Sequence, residues 1–305
     1  MSFSLTILGS SSAVPKPDRF TTAHVLKAHE RFFLIDCGEG TQIQLRRFKI
    51  RFSKIHHIFI SHLHGDHFFG LPGLISSFNL MGRKRTLYIY GPPELEHIIR
   101  NLHQVMDERL NYPLVFKSLY PNRREVILDT PKLSVETIPL IHKKASLGFL
   151  FREKPEDRKI RKDFIEEKSL EIKEILQLKK GNDVIRENGE LLEASKLTKP
   201  GKDSHSYAFV SDTRYTEKIL PQIKGVDLLY HEATYLDDMR ERAKVTGHST
   251  AAEAARIAKL AEVGELVIGH FSARYKNANP LLQEAKSIFE NTILAEDGLC
   301  IDVNN

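Results

Sequence analysis

The chain has 305 residues, of which 41% are apolar and 28% charged, and its 45 lysines and arginines against 40 aspartates and glutamates give a net charge of +5. This composition excludes a fibrous or wholly disordered chain and permits a nucleic-acid partner without specifying one. No stretch reaches the roughly 18 consecutive apolar residues that a membrane-spanning helix needs. The opening MSFSLTILGSSSAVP lacks a basic segment followed by an apolar block, which argues against export. Cys37 and Cys300 are the only cysteines, so disulfides do not organise the fold, and a reducing cytoplasm is the expected location.

In chain order, residues 5–8 predict a strand running into the polar loop Gly9-Ser10-Ser11-Ser12. Residues 25–26 and 32–35 flank a turn and predict a hairpin ending at Asp36-Cys37-Gly38, and residues 41–48 have helical periodicity. A short apolar strand at 57–60 opens into Ser61-His62-Leu63-His64-Gly65-Asp66-His67, and a helix follows at 71–80, its start marked by Pro72. A second strand and helix follow at 87–90 and 94–106, and residues 114–138 read as several strands separated by turns. Residues 152–203 hold 14 Lys/Arg and 13 Asp/Glu, which predicts a solvated arm, helical around 165–178, and not a core segment. Strand and helix alternate again from residue 207 on, including a strand at 228–230, an alanine-rich helix at 250–261, a strand at 266–268 and a helix near 281–290. Alternation in both halves argues for a layered α/β protein.

The chemistry concentrates in His62-Leu63-His64-Gly65-Asp66-His67, four metal-ligand side chains within six residues just beyond an apolar strand. Imidazole and carboxylate both suit zinc, and a strand-end loop can aim them inward without helical spacing. Of the 14 histidines, His142 and His270 also follow apolar strands, as does Asp212, so residues some 200 positions apart can meet at one edge of a sheet.

The histidine run resembles the signature loop of the metallo-β-lactamase superfamily. Within it the chain is similar to the short ribonuclease Z family through Phe33-Leu34-Ile35-Asp36-Cys37-Gly38-Glu39-Gly40-Thr41-Gln42, Phe69-Gly70-Leu71-Pro72-Gly73-Leu74, His231-Glu232-Ala233-Thr234 and His270-Phe271-Ser272-Ala273-Arg274-Tyr275. The resemblance implies a four-layer αβ/βα sandwich forming a single domain over residues 1–305, with 152–203 as an inserted arm. It implies two Zn²⁺ per subunit, with Mn²⁺ as the alternative occupant. One ion would take His62, His64, His142 and Asp212, and the other Asp66, His67, Asp212 and His270. Asp36 is read as support behind the loop and not as a ligand.

The implied activity is endonucleolytic removal of the 3′ trailer from precursor tRNA by metal-activated water, leaving a 3′-OH on the tRNA and a 5′-phosphate on the trailer. Asp66 would orient the attacking water and take its proton, and His248, held by Glu232, would protonate the leaving oxygen. Ser272 and Arg274 would grip phosphate. The resemblance further implies a homodimer whose arm clamps the tRNA elbow, with Lys179 and Lys180 on that arm and no membrane partner. The sequence departs from the family at the arm tip, which has Lys179-Lys180-Gly181 where a Gly/Pro-rich stretch is usual, and in the amino-terminal loop, where serines stand that could contact the cleavage-site backbone. The alternative is another dinuclear-zinc phosphodiesterase of the same superfamily, which keeps every ligand and differs in access to the site.

Overall fold

A computed structural model describes residues 3–303. Its strands bury different side chains on their two faces, as the period of two requires. In Arg31–Ile35, Leu34 joins an aliphatic cluster with Ile58, Ile89 and Leu74, while the Phe33 ring turns the other way to lie 5.9 Å from Phe151. Ile55–Phe59 repeats the pattern: Ile58 sits in the same cluster, and Phe59 packs 5.5 Å from Phe149 and 5.4 Å from Phe151. From the opposite sheet, Ala208, Val210 and Leu229 face a second aliphatic cluster with Ala254, Ala258 and Leu281. Tyr207, Phe209 and Tyr230 turn the other way and surround the buried His24, whose Nδ1 lies 2.9 Å from the Tyr207 hydroxyl. Aromatic faces meet between the sheets and aliphatic faces meet the helices, which makes a four-layer αβ/βα sandwich.

Each of the two large sheets has seven strands among the described residues. The first runs Cys300–Asp302, Phe3–Gly9, Ala23–Ala28, Arg31–Ile35, Ile55–Phe59, Leu87–Gly91, Leu114–Ser118, antiparallel up to Arg31–Ile35 and parallel beyond it. The second runs Thr292–Leu294, Glu265–Gly269, Leu228–Glu232, Ser206–Val210, Leu147–Glu153, Leu133–Pro139, Val126–Asp129, and its first four strands are parallel. Parallel strands end together, so loops after 35, 59, 210, 232 and 269 open at strand carboxyl ends, where α/β sheets place their ligands.

The helix Leu71–Leu80 has Pro72 in its first turn and buries Leu71, Leu74, Ile75 and Phe78 at the spacing of one helical face. Ala251–Leu260 is capped by Thr250, whose hydroxyl accepts the Glu253 N–H while the Glu253 carboxylate accepts the Thr250 N–H. Residues 217–223 form two short helical turns, Glu217–Ile219 and Leu220–Ile223, the second with Pro221 in its first turn. No helix among the described residues is long and apolar enough to cross a membrane.

Asp129–Ser134 and Arg152–Ser204 form a second compact unit. This unit has a small core of its own: Leu178, Leu192, Ala194 and Leu197 are buried together, with Ile160, Phe164, Leu170 and Val184 against them. Its helical part is two helices, Lys162–Glu167 and Ile172–Lys179, separated by Ser169 at φ 44° and by the Glu171 N–H, which donates to Glu174 Oε2 at 2.8 Å. Arg186 ties this unit together, forking onto Glu174 at 2.7 and 2.8 Å, bonding Glu190 at 3.0 Å and donating to the Lys168 carbonyl at 2.9 Å.

The hydrogen bond from Arg186 holds Glu174 down to about 2. A lowered carboxylate stabilises the fold above its ordinary value near 4.5 and loses that contribution as pH falls through about 2. Arg186→Ala is therefore expected to increase proteolysis and amide exchange across 152–204 at pH 7, and the wild-type unit to loosen in the same way between pH 4.5 and 2. Equal protection in wild type and variant at pH 7 would refute this role.

Candidate metal centre

Asp36, Asp212 and His270 each lie just past a strand end with positive φ: 55°, 49° and 59°. Aspartate and histidine are among the few non-glycine residues that tolerate this region, and the reversal turns their side chains back across the sheet edge. The run after Ile55–Phe59 is less of a loop than the sequence suggests. His64 is extended, and Gly65–Phe68 forms one helical turn carrying Asp66 and His67.

The seven expected ligands converge. His62 Nε2 lies 2.9 Å from His64 Nδ1, and His64 Nδ1 lies 3.4 Å from His142 Nε2. Asp212 Oδ2 stands 3.5 Å from His62 Nε2 and 3.6 Å from His142 Nε2. The other oxygen of the same carboxylate, Oδ1, is 3.2 Å from both His67 Nε2 and His270 Nε2. Asp66 Oδ2 completes this second set at 3.6 Å from His67 Nε2 and 3.5 Å from His270 Nε2. One buried carboxylate thus serves two clusters of donors.

Hydrogen bonds behind the ligands fix which nitrogens face inward. Asp36, fully buried, accepts from Ser61 N at 2.7 Å, from Ser61 Oγ at 2.9 Å and from His67 Nδ1 at 2.6 Å. His142 Nδ1 donates to the Gly247 carbonyl at 2.6 Å. Gly247 sits at φ 86°, with its missing Cβ facing His142, so any side chain there would be strained and would press on that ring. Thr234 Oγ1 donates its single proton to Glu232 Oε2 at 2.5 Å and so accepts from His270 Nδ1 at 3.1 Å. His67 Nε2 and His270 Nε2 are left buried with no hydrogen-bond partner.

The electrostatics call for a cation. Burial disfavours charge on His67, yet Asp212, Asp66 and Asp36 outweigh it and hold the ring well above the ordinary imidazole value. Burial likewise works against the Asp212 carboxylate, but the imidazoles of His270, His67 and His62 keep it far below its usual range. Two orphaned nitrogens, clustered oxygens and fixed tautomers fit a divalent metal, in donor groups His62, His64, His142, Asp212 and Asp66, His67, His270.

His248 and Glu232 stand beside these clusters. His248 Nδ1 lies 2.9 Å from Glu232 Oε1, which also accepts the Thr213 N–H at 2.8 Å. Burial lowers His248, but the Glu232 carboxylate overrides it and raises the ring to about 9. His248, His64, Asp66, Asp212 and His270 line an open cavity of about 500 Å³ whose rim includes Ser12, Val14 and Phe69. Asp66 Oδ2 also accepts the Ala13 N–H at 2.7 Å.

The remaining expected residues lie apart from this lining. Arg274 donates Nε to Ser272 Oγ at 3.1 Å and stacks 5.1 Å over the Tyr235 ring, and neither Arg274 nor Ser272 borders the cavity. Lys179 and Lys180 close the helix Ile172–Lys179 in the second unit. Ser10 and Ser11 spend their hydroxyls internally, on Asp297 and the Val14 carbonyl, so the amino-terminal loop meets the metal ligands through the Ala13 backbone. Sequence reading missed Ser61, Thr234, Gly247 and Ala13. Only Thr234 left a signal, since it closes the His231-Glu232-Ala233-Thr234 run.

The fold and this cluster define a metallo-β-lactamase-fold protein, and the chain superposes on a protein of that fold, YhfI from Bacillus subtilis, with a TM-score of 0.68 at 19% identity over 98% of both chains. The family model described as Anti-Pycsar protein Apyc1 matches residues 3–176. Ribonuclease Z of Bacteroides thetaiotaomicron is 46% identical over 99% of this chain and 96% of its own length. The short form of human tRNase Z superposes with a TM-score of 0.72 at 28% identity, covering 98% of this chain and 99% of its own. The chain belongs to the ribonuclease Z family.

Proposed function

We infer that this protein is an endoribonuclease that removes the 3′ trailer from precursor tRNA, using two Zn²⁺ held by His62, His64, His142 and Asp212 and by Asp66, His67, Asp212 and His270. The observation that carries the dinuclear reading is Asp212, whose two oxygens address different donor sets. Bound there, such ions lower the pKa of water and offset charge growing on the attacked phosphate. Manganese would suit the same mixed imidazole and carboxylate donors.

The protein's own groups handle the protons. Asp66, fixed by the Ala13 N–H, accepts a proton from the attacking water. The water oxygen bonds to phosphorus as the bond from phosphorus to the upstream 3′ oxygen breaks. His248, with Nδ1 committed to Glu232, offers its other nitrogen to the cavity and gives the leaving oxygen a proton. The products are a tRNA with a 3′-OH and a trailer with a 5′-phosphate. Ser272 and Arg274 serve the flanking phosphates, and residues 152–203, with Lys179 and Lys180, serve the tRNA elbow.

Metal-loaded protein is expected to cut a trailer-bearing precursor tRNA once, at the end of the acceptor stem, and to stop on chelation. Asp66→Ala should lower the rate by about 10²–10⁴. Chelator-insensitive cutting, or preference for a 3′,5′-cyclic nucleotide over the precursor, would defeat this reading.

The arm mechanism needs two subunits. Ile43, Phe69, Leu80 and Met81 are all more than half exposed, which suits a self-associating apolar face. Phe69→Glu/Leu80→Glu is expected to sediment as a monomer where the wild type is a dimer, and a dimeric variant would place the interface elsewhere. With precursor tRNA as substrate and both cysteines unpaired, we assign the protein to the cytoplasm.

A further inference from the structure

The strand Ile55–Phe59 leads to the metal ligands at its carboxyl end, and its amino end borders a second, separate concavity of about 450 Å³. The rest of that strand and the three residues beyond it separate His56 from His62 by at most roughly 20 Å. Arg31, Lys54 and Arg85 line this concavity together with His56, His57 and Tyr88. No carboxylate among the described residues pairs with any of the three cations, and the one acid at the rim, Glu30, is engaged with Lys27 at 3.8 Å. Lys54 and Arg85 also border the adjoining groove of about 570 Å³, to which Lys84 adds another cation.

Arg83 shows what a structural arginine looks like here. Its guanidinium lies over Phe78 and Tyr112 and donates to the carbonyls of Ile55, Arg85 and Thr86 and to His56 Nδ1. The bond to Nδ1 makes that atom the acceptor, so His56 carries its hydrogen on Nε2 as a further donor. Among the described residues, Arg31, Lys54 and Arg85 have no such internal use. Burial and the charges of Arg83, Arg85, Arg31 and Lys54 push His56 below the ordinary imidazole value, and burial, His56 and Arg31 push His57 to about 4. The concavity thus concentrates positive potential and donors with no counter-ion of its own.

We propose that Arg31, Lys54, Arg85 and His56 form a phosphate-binding site remote from the metal centre, taking a phosphate group of a nucleotide or of an RNA backbone. Guanidinium forks and a flexible ammonium suit tetrahedral phosphate oxygens.

The test follows the ring C–H signals of His56 and His57 by NMR while metal-loaded protein is titrated with inorganic phosphate. A saturable shift is expected, retained in Asp66→Ala, weakened by about tenfold or more in Lys54→Gln/Arg85→Gln and weakened to a smaller extent in the singly changed, surface-exposed Arg31→Gln. No saturable shift, or one that the Lys54→Gln/Arg85→Gln protein keeps, overturns the proposal. The salt dependence of precursor-tRNA binding then identifies the source. A slope smaller by about 1–2 in the double variant assigns the site to RNA phosphates, and an unchanged slope beside lost phosphate binding assigns it to a free phosphate compound.

Discussion

Asp36→Ala is expected to lose metal 10–100-fold more readily than the wild type and to lose about 3 kcal/mol of stability, although Asp36 touches no metal donor atom of its own. The substitution strips three hydrogen bonds at once, leaving the Ser61 N–H, the Ser61 hydroxyl and His67 Nδ1 buried and unmatched. His67 would then be free to turn or to change tautomer, and its Nε2 would no longer be fixed opposite Asp212. Asp36→Asn keeps the shape and one acceptor oxygen, so it should retain more stability than metal affinity. Denaturant melts and chelator competition on the metal-loaded proteins measure the two losses separately. Wild-type metal retention in Asp36→Ala would mean that His67 is positioned by packing alone.

Glu232→Gln should lower kcat by about 10²–10⁴ while leaving KM for precursor tRNA closer to the wild-type value. Glu232 serves two histidines, His248 directly and His270 through the Thr234 hydroxyl. An amide in its place removes the charge that favours the protonated form of His248. In the metal-free protein the His248 ring should titrate near 9 in the wild type and return toward 6.5 in the variant. Because the folded value is raised, the associated stability is fully present below pH 6.5 and is lost as pH rises through about 9. The metal-free wild type should therefore weaken over that window and Glu232→Gln should not. Identical His248 titrations in the two proteins would dissociate this pair.

The strands and their two faces were legible because apolar alternation is local: Phe33 and Leu34, or Phe209 and Val210, declare opposite sides of a sheet in adjacent letters. The dense 62–67 run was legible for the same reason, and its distant partners followed from their place after apolar strands and from family resemblance. What stayed hidden depends on contacts between remote positions. Nothing near Gly247 announces that its carbonyl holds His142, 105 residues away in sequence. Leu178, Leu192 and Leu197 are too dispersed among charges to suggest a core until Arg186 draws their segments together.

The left-handed turns at Asp36, Asp212 and His270 bear on how the protein acquires its ions. Each follows a strand whose apolar side chains, Leu34, Val210 or Ile268, sit in a hydrophobic cluster, so the packing that anchors the strands is separate from the donor set. Small zinc domains, by contrast, unfold when stripped. Here the anchoring clusters contain none of the ligands, so a chelated protein is expected to keep its far-UV circular dichroism and to rebind a divalent ion without refolding.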